Sequence, residues 1–300
     1  MQLSELPRAC EQFFGLQQAA FSLTPDTDFY VDLPGQKKAF ETLLFALGSG
    51  EGFVKVTGEV GTGKTLLCRR LLNALAQQQV RTAYIPNPDL TDTSLWRALA
   101  RELELNDSGR SDSQVRDDIQ QCLLRHAADG VRVVLIIDEA QCMPVATLET
   151  LRLISNLETE RQKLVQIVLF GQPELNELLS MPSLRQLRQR ITWTAELKPL
   201  ANIGVLAVYL QQRLSAAGHR GLPLFRADAL KALWQASHGV PRLVNILAGK
   251  TLLAGYGSGS QMLGRQHVLR AVADTEGAFP AQSGFWRWQA LIAALVLVAL

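Results

Sequence analysis

The sequence predicts an α/β protein: a mainly parallel β-sheet with flanking helices, then a small all-helical domain, then an apolar C-terminal tail. Three observations carry this. Short β-branched or apolar runs alternate with helix-patterned segments through the first two thirds of the chain. Two of these runs, VRVVLII at 131–137 and LVQIVLF at 164–170, are nearly continuous in apolar residues, as strands covered on both faces are. After Lys198-Pro199-Leu200 no further strand is convincing.

Taken in order, FVKVT at 53–57 is a β-branched run leading straight into glycines. Leu66, Leu67, Leu71, Leu72 and Leu75 then recur at helical spacing. RTAYIP at 81–86 reads as a second strand, ended by Pro86 and Pro88. Residues 93–105 and 113–128 read as helices around a loop marked by Asp107-Ser108-Gly109. The runs at 131–137 and 164–170 follow as central strands, and 191–197 as a fifth. Strands joined through helices in this way imply right-handed βαβ crossovers. Residues 202–217, 226–237 and 241–255 form the helical part, and 273–284, rich in Gly, Ala, Ser and Pro, reads as a linker.

Composition narrows the function. Of the 300 residues 47% are hydrophobic and 19% charged, the balance of a globular chain. A net charge of +2 gives no reason to expect broad attraction to nucleic acid. Cys10, Cys68, Cys122 and Cys142 lie far apart without a Cys-x-x-Cys pair, which favours reduced thiols over a disulfide framework or zinc site. His126, His219, His238 and His267 lack ligand spacing. The N-terminus has no long apolar core and does not read as a signal peptide.

The chemistry begins at Gly58-Glu59-Val60-Gly61-Thr62-Gly63-Lys64-Thr65, which matches G-x-x-x-x-G-K-[ST] at every fixed position, with a strand before it and a helix after. Glycines let such a loop wrap a phosphate with successive N–H groups pointing inward. The following helix N-terminus adds positive potential. Lys64 is placed to reach the β/γ-phosphates and the Thr65 hydroxyl to ligate Mg²⁺. The strand at 133–137 delivers Asp138 and Glu139 to the carboxyl edge of the sheet, where ligands of open α/β sheets bind. Asp138 is expected to hold the Mg²⁺ shell and Glu139 to polarise the attacking water. No Asn-Lys-x-Asp follows, nor an Asp-x-x-Gly after the third strand, so ATP is expected rather than GTP.

GEVGTGKT, LIIDEAQCM, FGQPEL, LRQLRQRI and GVPRLVNIL, in that order, resemble an AAA+ ATPase, more narrowly the ExeA/GspA secretion family and its MSHA pilus-biogenesis relative. The similarity spans roughly residues 10–270. It implies a P-loop AAA+ core at 41–199, a helical lid at 200–272, and an N-terminal segment at 1–40 on the adenine side. Gln172 is then the sensor-1 residue between γ-phosphate and water, and Arg242 the sensor-2 arginine of the lid, with Asn245 structural beside it. The cluster Arg185, Arg188 and Arg190 contains the finger that a neighbouring subunit receives, with Arg190 the first choice. A homo-oligomer is therefore expected. Leu23-Thr24-Pro25-Asp26 fits the family, but Gly35-Gln36-Lys37-Lys38 stands where a His-x-Glu pair is usual, so the base contacts stay open. ExeA-type chains continue into a wall-binding domain, and this one, ending at Leu300, is expected nearer the pilus-type relative.

Three functions compete: an ATPase for pilus or type II secretion assembly at the inner membrane, a DNA-linked ATPase of the transposition type, and a nucleotide-dependent scaffold with little turnover. The tail favours the first. Ala290–Leu300 is wholly apolar, behind Phe285, Trp286, Arg287 and Trp288. Residues 285–300 approach the roughly 17–25 that span a bilayer, so they read as a membrane anchor or as a buried C-terminal helix. The expected location is cytoplasmic, attached to the inner membrane.

Overall fold

The computed structural model describes residues 5–86, 88–160 and 162–279. The chain divides into two compact units, Asp32–Lys198 on one side and Met1–Val31 with Pro199–Leu300 on the other. The helix α1 (Glu5–Phe13) opens the second of these. The expected tail at 285–300, and the linker beyond residue 279, lie outside the described residues. Among the described residues no helix is long and apolar enough to cross a membrane.

The unit Asp32–Lys198 runs α2 (Pro34–Gly48), β1 (Phe53–Gly58), α3 (Lys64–Ala76), β2 (Val80–Ile85), α4 (Asp92–Glu102) and α5 (Asp112–Ala128), then β3 (Arg132–Ile137) and α6 (Val145–Ile154). It closes with β4 (Gln166–Gly171), α7 (Glu174–Ser180), α8 (Arg185–Arg190) and β5 (Trp193–Leu197). The five strands form one sheet in the order β2-β3-β4-β1-β5, every pair parallel. This is the parallel α/β core that the alternation of strands and helices predicts.

The continuous apolar runs now have their reason. Val133, Leu135 and Ile137 pack on one face of the sheet among residues of α4, α5 and α6. Val134 and Ile136 pack on the other among residues of α2 and α3. A strand buried on both faces cannot alternate with polar residues. Helix starts follow local capping rules. The Thr91 hydroxyl accepts from the Ser94 N–H at α4, and Ser111 with Gln114 forms a capping box at α5.

The other unit continues with α9 (Ile203–Ala216), α10 (Ala227–Ser237), α11 (Pro241–Gly257) and α12 (Arg265–Ala273). The last of these is an element the periodicity did not single out. The N-terminal segment joins these helices through the buried Arg213, whose guanidinium donates to the carbonyls of Ala20 (2.8 Å) and Ser22 (3.2 Å). Arg213 also lies over the Phe29 ring at 5.0 Å. A cation enclosed this way needs such acceptors, because an unpaired buried charge is strongly unfavourable. After α12, the Phe279 N–H donates to the Ala236 carbonyl and its ring stacks on His238. The described start of the Gly/Ala-rich stretch is thus anchored.

Candidate nucleotide site

The loop between β1 and α3 is built on its glycines. Gly61 and Gly63 hold positive φ, 80° and 99°, which side chains with a Cβ adopt at a cost. A Cβ on Gly58 would come within 2.6 Å of Thr62 Oγ1 and 2.7 Å of the Leu197 carbonyl, so the loop closes only over glycine. Thr62, buried, ties the turn by donating its hydroxyl to the Glu59 carbonyl at 2.8 Å. Glu59 and Val60 stand exposed at the tip.

Lys64 opens α3 and is buried, its ammonium donating to the carbonyls of Gly58 (2.7 Å) and Glu59 (3.1 Å). Burial pulls its pKa below the usual lysine range, opposed by the carboxylates of Glu139, Asp138, Glu59 and Glu174. Asp138, at the end of β3, is buried too. Burial pushes its carboxyl above the usual range, against the hydrogen bonds it accepts from the Glu139 N–H (2.9 Å) and the Thr65 side chain. A hydroxyl and a carboxylate in contact are hard oxygen donors of the kind Mg²⁺ takes. The residues therefore fit Mg²⁺ at Thr65 and Asp138.

Glu139 sits in the left-handed region, φ 51° and ψ 39°. Its Oε2 accepts from Gln141 Nε2 at 2.5 Å and from Gln172 Nε2 at 3.2 Å. The Gln172 N–H, just past β4, donates to Gln141 Oε1 at 2.9 Å. The carboxyl ends of β1, β3 and β4 thus bring Lys64, Thr65, Asp138, Glu139 and Gln172 to one edge of the sheet. Gln141 belongs to the same cluster, and nothing in its sequence context marks it out. The signal was an amide in the Asp-Glu-Ala-Gln run, without any mark of what it would meet.

The arginines are distributed differently. The Arg190 guanidinium donates to Ser155 Oγ at 2.6 Å and to the Arg152 carbonyl at 3.5 Å, closing the C-terminal end of α6. It is engaged within its own chain. Arg185 and Arg188 are exposed on α8. Arg242 belongs to the other unit, exposed on the first turn of α11 after Pro241. Asn245, one turn on, is buried and accepts from the Tyr209 hydroxyl at 2.9 Å.

Residues 47–179 match the AAA domain family. Over 296 residues the chain is 38% identical to the General secretion pathway protein A of Aeromonas hydrophila, an alignment covering 93% of this chain and 54% of that one. The chain therefore spans about half the length of that relative. Among solved structures it is similar to the Aeropyrum pernix ORC2 protein in its ADPNP-ADP complexes, with TM-score 0.62 and 19% identity over 88% of this chain and 74% of that chain. Cdc6p from Pyrobaculum aerophilum gives TM-score 0.63 at 19% identity, covering 85% and 70%. The Thermotoga maritima RuvB Holliday junction branch migration motor gives 0.56 at 20%, covering 91% and 77%. At these identities the likeness to the solved structures is one of fold alone.

Proposed function

We propose that this chain, whose residues 47–179 match an AAA domain and which is 38% identical to a General secretion pathway protein A, binds and hydrolyses ATP with Mg²⁺ to drive assembly of a type II secretion machine or an MSHA-like type IV pilus. The observation that carries the ATPase reading is the meeting of Lys64 and Thr65 with Asp138, Glu139 and Gln172 at one sheet edge. The sequence relationship carries the secretion reading.

In this reading the backbone N–H groups of Gly58 to Thr65 cradle the phosphates, and Lys64 leaves the carbonyls of Gly58 and Glu59 to reach the β/γ-phosphates. Thr65 and Asp138 would hold Mg²⁺, which when bound would neutralise charge on the phosphate oxygens. Glu139 orients and polarises the attacking water, and Gln172 contacts the γ-phosphate side of it.

A neighbouring subunit supplies the finger. Because Arg190 is held by Ser155 and the α6 carboxyl end, Arg185 and Arg188 are the exposed members of the cluster free to serve. Such a finger supplies roughly 10³–10⁵ in rate, so turnover per chain should rise with protein concentration. Either Arg185→Ala or Arg188→Ala should abolish that rise while sparing ATP binding. Arg190→Ala should instead lower stability by roughly 1–2 kcal/mol through loss of a charged hydrogen bond. Concentration-dependent turnover that survives both exposed-arginine variants, measured by phosphate release, would remove the finger from α8.

The membrane reading rests on residues 285–300 and the relationship to the secretion protein. Fractionating cells that express the full chain, against a version ending at Ser283, should move the protein from the membrane to the soluble fraction. An unchanged distribution would detach the tail from localisation. The structures of Drosophila ORC bound to DNA and of the RuvB Holliday junction branch migration motor share the fold at 17–20% identity, and among the described residues no site argues separately for nucleic acid.

A further inference from the structure

The Glu139 carboxylate is held more tightly than a lone base at a strand end needs to be. Its backbone is in the left-handed region, one of three non-glycine residues there among the described residues, the others being Glu104 and His238. A side-chain-bearing residue stays in that region only where its surroundings hold it, and such residues gather at functional sites. Here the Glu139 N–H is bound to Asp138 Oδ1, so the start of the turn is fixed by the preceding carboxylate.

The side chain is fixed by Gln141. Its amide is used at both ends: Nε2 donates to Glu139 Oε2 at 2.5 Å, and Oε1 accepts the Gln172 N–H at 2.9 Å. The amide orientation follows from these partners. Turned over, it would set a carbonyl oxygen against a carboxylate and an amino group against an N–H. Gln172 Nε2 completes the triangle on the same Glu139 oxygen at 3.2 Å. Oε2 thus takes two donors, while Oε1 takes none among the described residues. Gly171 makes room for the arrangement, since a Cβ there would lie 3.2 Å from Gln141 Oε1 and 2.7 Å from Leu175 Cδ2.

We propose that Gln141 is a positioning residue that pins Glu139 Oε2 and the Gln172 backbone together, so that Glu139 Oε1 is presented to the attacking water and base and sensor move as one. This rests on the ATPase reading above and adds a residue to it. Gln141 touches neither water nor phosphate in this role. It sets the plane of the carboxylate that does. Water attack is sensitive to that plane, because a displacement on the order of 1 Å in a reacting group can cost about 100-fold in rate.

The test is steady-state hydrolysis by the full chain, with affinity for a fluorescent non-hydrolysable ATP analogue and the thermal midpoint measured alongside. Gln141→Leu keeps the side-chain volume and removes both hydrogen bonds. Its kcat should fall about 10- to 100-fold, with analogue affinity within about threefold and little change in midpoint. Gln141→Glu keeps the acceptor for the Gln172 N–H but loses the donor to Glu139, and should be at least as impaired. Adding Gln172→Leu to Gln141→Leu should cost much less than the product of the two single losses, since both act on one oxygen.

An unimpaired Gln141→Leu, single losses that multiply, a Gln141→Glu that recovers turnover, or affinity and midpoint falling together with kcat would each overturn the proposal. Glu139→Gln run in parallel separates the levels. If that variant is inactive and Gln141→Leu is normal, the positioning role alone fails. If it turns over normally, the role of Glu139 fails, and this proposal with it.

Discussion

Replacing Lys64 with alanine is expected to lower ATP affinity on the order of 100-fold or more, equivalent to about 2.7 kcal/mol. Lys64 is the buried cation of the loop, and its ammonium bridges the Gly58 and Glu59 carbonyls in the same turn that would hold the phosphates. Burial lowers its pKa, and a bound triphosphate would bring compensating charge to a cation that burial has left poorly solvated. The carboxylates of Glu139, Asp138, Glu59 and Glu174 surround it, and without Lys64 they would repel the incoming phosphates. Titration with a fluorescent ATP analogue measures the change, and the thermal midpoint reports whether the fold survives. Affinity within about threefold of the parent, in a folded variant, would sink the assignment of this loop.

Glu139→Gln separates binding from turnover. The substitution preserves shape, and its carbonyl oxygen can still accept from Gln141 and Gln172. What it removes is the charge proposed to polarise water. General-base catalysis is worth roughly 10²–10⁴ in rate, so kcat should fall by that amount while ATP binding stays close to the parent. The variant also distinguishes a motor from a switch. If secretion or pilus assembly persists in Glu139→Gln cells and is lost in Lys64→Ala cells, nucleotide binding is the functional act, and the chain is a scaffold rather than an energy transducer. Loss in both assigns the work to hydrolysis.

Much of the core is legible in the sequence, for reasons visible in particular residues. The run VRVVLII could be read as a central strand because Val133, Leu135 and Ile137 face one layer of helices while Val134 and Ile136 face the other. That requirement leaves no room for polar alternation. The phosphate loop was legible because its constraint is local: the positive φ of Gly61 and Gly63 and the close approach at Gly58 each demand a residue without a Cβ. The AAA domain match over 47–179 covers the same stretch.

Other features were not legible, because they depend on partners far along the chain. Gln141 meets the Gln172 backbone 31 positions later, and no periodicity in either segment encodes that. Arg190 sits in a run of three arginines that look alike in sequence. Only its meeting with Ser155, 35 positions away, sets it apart from Arg185 and Arg188. The N-terminal segment joined the C-terminal helices through Arg213, whose partners Ala20 and Ser22 lie more than 190 positions earlier. A buried arginine at helical spacing looks like a solvated one until its acceptors are known.

The sequence by itself determined the parallel sheet, the glycine loop and the delivery of Asp138 and Glu139 to its edge, because strand burial and turn geometry are enforced within a few residues. The tertiary structure alone decided which groups share the Glu139 oxygen, which arginine is engaged within its chain, and which unit the N-terminus belongs to. These are long-range hydrogen bonds, and a buried polar group takes whatever partner the fold brings within about 3 Å.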